Sequence, residues 1–553
     1  MIPARRPLSA LAAILAVVAA ACTSGAGARD AAPTDAPPPP KASALQSVAC
    51  GLPHVQLLRE WRGYYPGRSP DIIMLPHPPD YMGAGYPHVG PWNYLENVPL
   101  ALYGPGYVRN AGQLGRDVTL ADWAPTTAAL LHFDHQFPDG RVLSDALVPA
   151  AKRVVPPRVI VTVVWDGSGW DVLNQWPDSW PNLKSLMSRG TSYRKATVGS
   201  APTSTAQDHP MLGTGAFPNR HGIVGNHVRV GSHIQFPFAN GPNLLMLPTV
   251  ADMYDKANGN LPKIGMVASS PWHLGMIGHG NYLDGADADI VSLHQFGGPD
   301  WSLPAPLDQF YEFPTYLNSL PGLSTYAHYA DAIDGHVDGK WRGLEISKQG
   351  AGFNTPERIP YQTAAIEEVI KREGFGQDEL PDLFFTNYKL IDEVSHIWTM
   401  NSLEMRDSVV ASDQALPELI RFLNEQVGKG RWVMAVTADH GDMPNPEVTR
   451  AFRGSTAALK GYVNRVFDHD SDQVPVLQNL QPTHIFVNVE ELEQNGFTLG
   501  QLSEYIAGLT KSQLAASDSI IQPGEENDRV FDAVFPSNIM KTLPCLPEAR
   551  SSQ

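Results

Sequence analysis

The chain has 553 residues, of which 43% are hydrophobic and 18% charged, so it has enough apolar side chains to form a large core and is not a disordered chain. Its 57 acidic residues outnumber its 40 Lys and Arg residues and give a formal net charge of −17, which disfavours binding to a phosphate backbone. We therefore expect no nucleic acid as a specific partner. The length suits several domains, or one large α/β enzyme domain with insertions.

The first 22 residues have the pattern of an export signal. Arg5 and Arg6 precede an uncharged run from Leu8 to Ala21, which is shorter than the span of about 20 residues that crosses a bilayer. The small residues before Cys22 resemble a bacterial lipoprotein signal, which predicts an exported cell-envelope lipoprotein held at the membrane by a lipid anchor on Cys22. The alternative is a plain secretory signal that leaves a periplasmic or extracellular protein. Residues 23–49 are rich in Ala and Pro, which is typical of a tether.

Two cysteines remain besides Cys22, namely Cys50 and Cys545. Disulfides persist in the compartments that exported proteins reach. We therefore expect a bridge between these two cysteines, and the alternative is two unrelated free thiols near the chain ends.

Three apolar segments predict buried strands of a parallel sheet, and each is followed by residues that can bind a metal. The segments are residues 158–166, 383–387 and 432–440. They present Asp166, then Asp392 and His396, then Asp439 and His440. Because α/β sheets bind ligands at the carboxyl ends of their strands, we expect these side chains to converge. Oxygen and imidazole ligands in this mixture suit a divalent metal, with zinc the first candidate.

These segments and two further motifs resemble the alkaline phosphatase superfamily, in its nucleotide pyrophosphatase/phosphodiesterase branch. The further motifs are residues 201–215 and 219–226, and the resemblance covers most of the chain from residue 50 to 545. It implies an α/β fold with a mixed, mostly parallel sheet sandwiched by helices, together with a cap insertion. It also implies two divalent metal ions, with zinc the first candidate, and a small phosphate-ester substrate.

The resemblance assigns a role to each residue of the predicted site. Thr205 falls on the nucleophile, and Asn226 falls on the residue that hydrogen-bonds the transferred phosphoryl group. The match is imperfect, because Ala206-Gln207-Asp208 replaces the more familiar Phe-Pro-Asn, and the hydroxyls of Thr203 and Ser204 are alternatives. A threonine hydroxyl needs a base or a metal to ionise it. The resemblance places Asp166, Thr205, Asp439 and His440 on one metal and Asp392 and His396 on the other.

The second metal needs one more histidine, which the family supplies downstream of its Asp-His-Gly motif. Only His469 and His484 lie downstream of His440, and neither has the expected flanking residues. Residues 85–92 do resemble the ligand loop, which makes His88 the missing ligand. The segments that resemble the strands and helix closing the family fold are residues 68–76, 98–106 and 117–126.

A circular permutation accounts for this order of motifs. The family's C-terminal block would stand at residues 50–150, with a strand at residues 71–75 joining the main sheet. A bridge from Cys50 to Cys545 would then close the break in the usual chain. The other predicted parts are a catalytic core at 151–229 and 381–545, a cap at 230–380 and a tail at 546–553. The alternative is a separate N-terminal domain in place of the permuted block.

The resemblance also favours phosphate diesters as the substrates. Trp272 and Leu274 fall where phosphomonoesterase relatives present a Lys-x-Arg pair to a doubly charged phosphate. His273 and His279 are expected to be exposed loop residues, and the alternative is that they contact phosphate. The resemblance thus implies an exported two-metal hydrolase of phosphate diesters or nucleotide pyrophosphates that forms a phosphothreonine intermediate. The alternatives are a phosphomonoesterase or phosphonate hydrolase of the same superfamily, and a non-catalytic surface protein that kept the fold for binding.

Overall fold

A computed structural model describes residues 35–153, 155–294, 300–346, 355–468 and 472–548. In this part of the chain, nine strands form a central sheet. In sheet order they are Tyr311–Glu312, Asp289–Leu293, Ile264–Ala268, Asp382–Tyr388, Val159–Trp165, Trp432–Thr437, Leu100–Tyr103, Thr191–Thr197 and Gly112–Thr119. Leu100–Tyr103 runs antiparallel to both of its neighbours, and the other neighbouring pairs are parallel. The mixed, mostly parallel sheet confirms the predicted α/β class.

Helices cover both faces of this sheet, because its central strands are apolar on both sides. Along Val159–Trp165 every residue is buried, with Ile160 and Val164 in one hydrophobic cluster and Val161 and Trp165 in another. The helices on the first face are Trp123–Leu130, Thr205–Thr214 and Val250–Ala257. Those on the second face are Pro181–Arg189, Arg358–Arg372, Leu390–Trp398 and Leu403–Leu423. The predicted sandwich of sheet and helices is confirmed.

A smaller antiparallel sheet joins an early segment of the chain to late ones. Its strands, in order, are Leu477–Leu480, His484–Val487, Ile72–Pro76 and Phe531–Pro536. The helices Ala42–Cys50 and His54–Gly63 pack on one face, and Thr456–Phe467, Val489–Gln494 and Leu499–Ala507 pack on the other. The prediction that residues 71–75 join the main sheet is wrong, because both edges of Ile72–Pro76 are hydrogen-bonded to C-terminal strands.

A disulfide links the end of the helix Ala42–Cys50 to the C-terminal segment. Cys50 and Cys545 are bonded, with their Cα atoms 5.9 Å apart, which confirms the predicted bridge. The tether predicted at residues 23–49 is wrong from residue 35 onward, since Ala42–Cys50 forms a helix and the segment before it is held where Gln501 Nε2 donates to the Pro37 carbonyl at 3.0 Å. The alanines that suggested a tether also favour a helix once it can pack.

The predicted signal at residues 1–22, including Cys22, lies outside the described residues. Among the helices that the structure does describe, none combines the length and the apolar character needed to cross a bilayer.

The predicted cap at residues 230–380 is wrong for much of its length. Its strands Ile264–Ala268, Asp289–Leu293 and Tyr311–Glu312 extend the main sheet at one edge, and its helix Arg358–Arg372 packs on a face of that sheet. The apolar residues of this range are buried against the sheet and so belong to the core. Between the strand Tyr311–Glu312 and the helix Arg358–Arg372 lies a short hairpin, formed by the strands Lys340–Trp341 and Leu344–Glu345. A hydrogen bond from Trp341 Nε1 to Asp407 Oδ2 at 3.0 Å holds this hairpin in place.

Candidate active site

The ends of three neighbouring parallel strands bring together the acidic residues predicted from the sequence. The register pairs Trp165 with Tyr388 and Val164 with Thr437, so the carboxyl ends of these strands are level. The residues that follow these ends are Asp166, Lys389, Asp392, Asp439 and His440, and all of them are buried. This is the edge at which α/β sheets bind their ligands.

Thr205 begins a helix, and its hydroxyl faces these acidic residues. The Oγ atom accepts a hydrogen bond from Lys389 Nζ at 2.9 Å, and the positive end of the helix dipole lies at the same place. The Asn226 Oδ1 atom accepts from the Ala206 N–H at 3.0 Å. This bond holds the carboxamide of Asn226 beside the predicted nucleophile.

The neighbouring hydroxyl groups of Thr203 and Ser204 have different hydrogen-bonding environments from that of Thr205. Thr203 Oγ donates to the His88 carbonyl at 2.6 Å, and Ser204 Oγ is buried without a hydrogen-bond partner in the described part of the chain. Thr205 is the one of the three whose hydroxyl bonds a charged side chain of the site. The geometry therefore favours Thr205 over Thr203 and Ser204 as the nucleophile.

Three histidines and Asp392 form a group suited to a divalent metal. The Asp392 Oδ1 atom lies 3.0 Å from His88 Nε2, 3.5 Å from His396 Nε2 and 3.9 Å from His440 Nε2. These residues come from three distant segments of the chain, and their ligand atoms converge. The tertiary structure thus brings His88 beside Asp392, where the sequence analysis expected it.

The environment of these atoms fits a bound cation. Asp392 Oδ1 and His440 Nε2 are buried and make no hydrogen bond among the described residues, which is a costly state that a metal ion would relieve. The Nδ1 atoms of His396 and His440 lie 2.6 and 3.1 Å from the carbonyls of Gly85 and Gly441, and these contacts fix the ring orientation. Imidazole and carboxylate ligands in this combination suit zinc.

The ligand atoms of Asp166, Asp439 and His440, which were expected to hold the other metal, also lie within 4.8 Å of one another. Asp166 Oδ1 lies 3.5 Å from His440 Nε2, but Lys389 Nζ donates to the same carboxylate oxygen at 2.8 Å and to Thr205 Oγ at 2.9 Å. Nζ also lies 2.8 Å from Asp392 Oδ2. Asp166 and Thr205 do not fit a metal as well as the first group does, because an ammonium group already bonds the two atoms that the metal would use.

Further polar side chains that the sequence analysis did not predict surround Asp166. Asn387 Nδ2 donates to its Oδ2 atom at 2.9 Å, and His273 Nε2 lies 3.3 Å from the same oxygen. The expectation that His273 is exposed is wrong, because it is fully buried. Its neighbours Trp272 and Leu274 pack against the hydrophobic core, so His273 is the residue of this loop that faces the site.

Asp439 contributes a carboxylate from the third strand. Its Oδ1 atom accepts from the Gly167 N–H at 3.1 Å, and its Oδ2 atom lies 3.3 Å from His440 Nε2 and 3.6 Å from His209 Nδ1. His209 itself donates from Nδ1 to the Thr205 carbonyl at 2.7 Å. These contacts connect the start of the nucleophile helix to the acidic group.

Burial and mutual attraction set the charges of the site. Burial lowers the pKa of Lys389, but the carboxylates of Asp166 and Asp392 raise that pKa by more. Burial raises the pKa of these two carboxyl groups, but the Lys389 ammonium and the neighbouring histidines together lower it below its ordinary value. The pKa of Asp439 is raised by burial and by the charge of Asp166. A single ammonium therefore faces three buried carboxyl groups, and a divalent ion would supply the remaining positive charge.

The pKa values of the histidines are shifted in different directions by their surroundings. Burial lowers the pKa of His88 and His440, so both are neutral, which is the state that binds a metal. Burial also lowers the pKa of His396, but the Asp392 carboxylate, the Gly85 carbonyl and Glu393 together raise it to about 9. A metal that binds His396 must therefore displace a proton at neutral pH.

The alternative histidines do not join the site in the described structure. His484 Nε2 lies 3.2 Å from Glu60 Oε2 beside the small sheet, and His469 lies outside the described residues. Lys389 was not among the predicted site residues, although a lysine at the carboxyl end of a buried strand, three residues before Asp392, is a signal that could have revealed it. On a helix, residues three apart lie on the same face.

Residues 160–534 match the family model of type I phosphodiesterase / nucleotide pyrophosphatase. The chain belongs to this family. It is therefore a phosphoester hydrolase of the alkaline phosphatase superfamily, whose members use divalent metals. The matched range contains Asp166, Thr205, Asp392 and Asp439, and it leaves out the segment that carries His88.

This phosphodiesterase-family chain is similar to several named proteins. It is 23% identical over 397 residues to a calcium-transporting ATPase of Myroides odoratus, covering 63% of this chain and 72% of that protein. It is 23% identical over 347 residues to alkaline phosphatase PafA of Elizabethkingia meningoseptica, where the alignment spans 54% of this chain and 63% of PafA. It is 25% identical over 338 residues to alkaline phosphatase PhoV of Synechococcus elongatus, where it spans 52% of this chain and 60% of PhoV.

The crystal structure of alkaline phosphatase PafA shares the fold. The TM-score is 0.52 at 16% sequence identity, and the match covers 69% of this chain and 85% of that chain. This likeness agrees with the α/β sandwich described above.

Proposed function

We propose that this hydrolase cleaves phosphate diesters or nucleotide pyrophosphates, with Thr205 as the nucleophile and a phosphothreonine intermediate. The observation that carries the proposal is the position of the Thr205 hydroxyl. It lies at the start of a helix, it is bonded to Lys389 Nζ at 2.9 Å, and it faces the metal-binding group. The family's motif falls on the same residue.

In the first half-reaction the phosphoryl group passes to Thr205. As Oγ bonds to phosphorus, the bond from phosphorus to the leaving-group oxygen breaks, and the leaving-group oxygen takes up the proton that the Thr205 hydroxyl gives up. The Lys389 ammonium and the helix N-terminus stabilise the negative charge on Oγ. Asn226, whose Oδ1 is held by the Ala206 N–H, offers its amide N–H groups to a phosphoryl oxygen. In the second half-reaction, water attacks phosphorus, the bond from phosphorus to Oγ breaks, and one proton of the water restores the threonine hydroxyl.

His88, Asp392, His396 and His440 would hold a divalent metal, with zinc the first candidate. Such an ion, when bound, lowers the pKa of water or hydroxyl and offsets the charge that develops on phosphoryl oxygens. The protein prepares the place for it, since burial keeps His88 and His440 neutral.

The preference for diesters follows from the loop that holds His273. Trp272 and Leu274 pack on the core, and His273 faces Asp166 between them. A doubly charged monoester would meet this one imidazole where the phosphomonoesterase relatives present a lysine and an arginine. A diester carries less charge, and its second ester group does not need that pair.

A second candidate is phosphomonoester hydrolysis, because PafA and PhoV are named alkaline phosphatases. The test compares kcat/KM for bis(4-nitrophenyl) phosphate and 4-nitrophenyl phosphate, with zinc and with manganese. We expect the diester to be preferred. Trp272→Lys should shift the ratio toward the monoester, and the matched control Trp272→Phe should leave it unchanged. A preference of the wild type for the monoester would favour the second candidate, and no turnover of either ester by zinc-loaded protein would favour a binding protein.

We also propose that the chain is a permuted form of the family fold. His88 lies 3.0 Å from Asp392, and the strand Leu100–Tyr103 pairs with Trp432–Thr437 in the main sheet, which supports residues 50–150 as part of the catalytic domain. The test is a rearranged gene in which residue 545 is joined to residue 50 and the chain starts near residue 155. Folding with wild-type activity would support the permutation, and loss of folding would count against it.

Export and lipid attachment at Cys22 are proposed from the signal pattern alone. Labelling with a radioactive fatty acid should mark the wild-type protein in a bacterial host and leave Cys22→Ala unlabelled. Equal labelling of both proteins would rule out this anchor.

A further inference from the structure

Lys389 has three acceptors for its three N–H groups. Nζ lies 2.8 Å from Asp166 Oδ1, 2.8 Å from Asp392 Oδ2 and 2.9 Å from Thr205 Oγ. The side chain is 97% buried, and an ammonium group offers three donors and no acceptor. Its hydrogen-bonding capacity is therefore used within the site.

This position excludes a metal ion between Asp166 and Thr205. A zinc ion there would need to lie about 2.0–2.2 Å from the same two oxygen atoms, and Nζ already lies within 2.9 Å of both. The ion and the ammonium group would occupy nearly the same space. They would also repel one another at short range in a buried site.

Buried carboxyl groups surround both the ammonium group and the predicted metal position. Asp166, Asp392 and Asp439 are fully or almost fully buried. The Lys389 ammonium bonds two of them, so an ion placed beside Asp166 and Thr205 would meet a like charge at short range in a buried site. Three groups of ligand atoms converge in the described part of the chain, and two of them include Asp166, whose Oδ1 atom Lys389 already bonds; the third, formed by His88, Asp392 and His440, is the place left for an ion.

We propose that this enzyme binds one divalent metal ion, at His88, Asp392, His396 and His440, and that the Lys389 ammonium takes the place of a second metal beside Thr205. The inference about Thr205 rests on the proposed function, while the number of metal ions does not. Lys389 touches the attacking oxygen and is thus a catalytic residue in this scheme. In this proposal, one ion and one lysine take the place of the two metal ions that the family resemblance implies.

The experiment measures bound zinc. The purified full chain is stripped with a chelator, reloaded with excess zinc and desalted, and the zinc per chain is determined by mass spectrometry of the elements. We expect one zinc per wild-type chain, two per Lys389→Met chain and one per Lys389→Arg chain. Methionine keeps the length of the side chain and removes its charge, whereas arginine keeps the charge. Circular dichroism verifies that each variant is folded.

Two results would overturn the inference. One is two zinc ions per wild-type chain, and the other is a single zinc in folded Lys389→Met, because the lysine would then not be what excludes the second ion. If Lys389→Met does not fold, anomalous diffraction of zinc-loaded wild-type crystals decides the matter. One zinc peak beside His88 with Nζ still at Thr205 supports the inference, and two peaks refute it.

Turnover is measured separately, so that the two proposals can fail independently. One zinc per chain without hydrolysis of either nitrophenyl ester would leave the metal count standing and reject the proposed function. Hydrolysis by a chain with two zinc ions would reject the single-metal proposal and leave the proposed function standing.

Discussion

Replacing Thr205 with alanine removes the hydroxyl that accepts a hydrogen bond from Lys389 at 2.9 Å. A buried donor left without an acceptor costs about 1–3 kcal/mol. The variant should stay folded, because Lys389 keeps Asp166 and Asp392 as partners. The effect on catalysis should be larger. Without the attacking oxygen no phosphothreonine can form, and we expect kcat for the preferred nitrophenyl ester to fall by at least about a thousandfold.

The assay combines initial rates with intact-protein mass measured after an acid quench. The wild type should carry an added phosphoryl group during turnover and Thr205→Ala should not. Thr205→Ser is the matched control, because it keeps an oxygen at the same place, and its kcat should stay within about tenfold of the wild type. Zinc content should be equal in all three proteins. Turnover by Thr205→Ala within about tenfold of the wild type, or phosphorylation of that variant, would refute the assignment.

Three further predictions concern the disulfide, the metal and its ligands. The double change Cys50→Ser and Cys545→Ser opens a loop with a sequence separation of 495 residues, and we expect it to lower the free energy of unfolding by about 2–5 kcal/mol in urea titrations; an unchanged midpoint would contradict this. Because the Asp392 carboxylate, the Gly85 carbonyl and Glu393 together raise the pKa of His396 to about 9 against the opposing effect of burial, zinc and a proton compete for this imidazole below that pH. The zinc affinity of the metal-free protein, measured by calorimetry, should rise by up to about tenfold per pH unit until about pH 9 and then level off. A zinc affinity that does not change with pH would contradict the competition between zinc and the proton for His396. His88→Ala should lower zinc content, whereas His484→Ala, at the histidine that pairs with Glu60, should not; the opposite pattern would place the ligand at His484.

Much of the candidate site could be predicted because its residues follow local sequence patterns that indicate where they lie in the fold. A run of apolar residues such as Val159–Trp165 is buried on both faces of a parallel sheet, so the acidic residue after it must lie at the carboxyl edge. The same reasoning places Asp392 and Asp439. Cys50 and Cys545 could be paired because they were the two cysteines left in a chain predicted to be exported.

Other features could not be predicted because they depend on which segments pack together. Whether residues 71–75 pair with the main sheet or with C-terminal strands depends on the edges that folding leaves open, and the same apolar pattern suits both places. The strands between residues 264 and 312 looked like an insertion because nothing in their sequence shows that they continue the main sheet.

The sequence by itself indicated the α/β class, the family, the acidic residues and histidines of the candidate site and the bridge between the chain ends. The class follows from the apolar strand patterns, the family from the resemblance of motifs, and the bridge from the two cysteines that remain besides Cys22. Only the tertiary structure revealed the position of Lys389, because Asp166, Thr205 and Asp392, which surround its Nζ atom, meet only after the sheet has formed. A lysine is usually a solvated surface residue, and it becomes the cation of a buried site when folding removes water and leaves carboxylates as its partners.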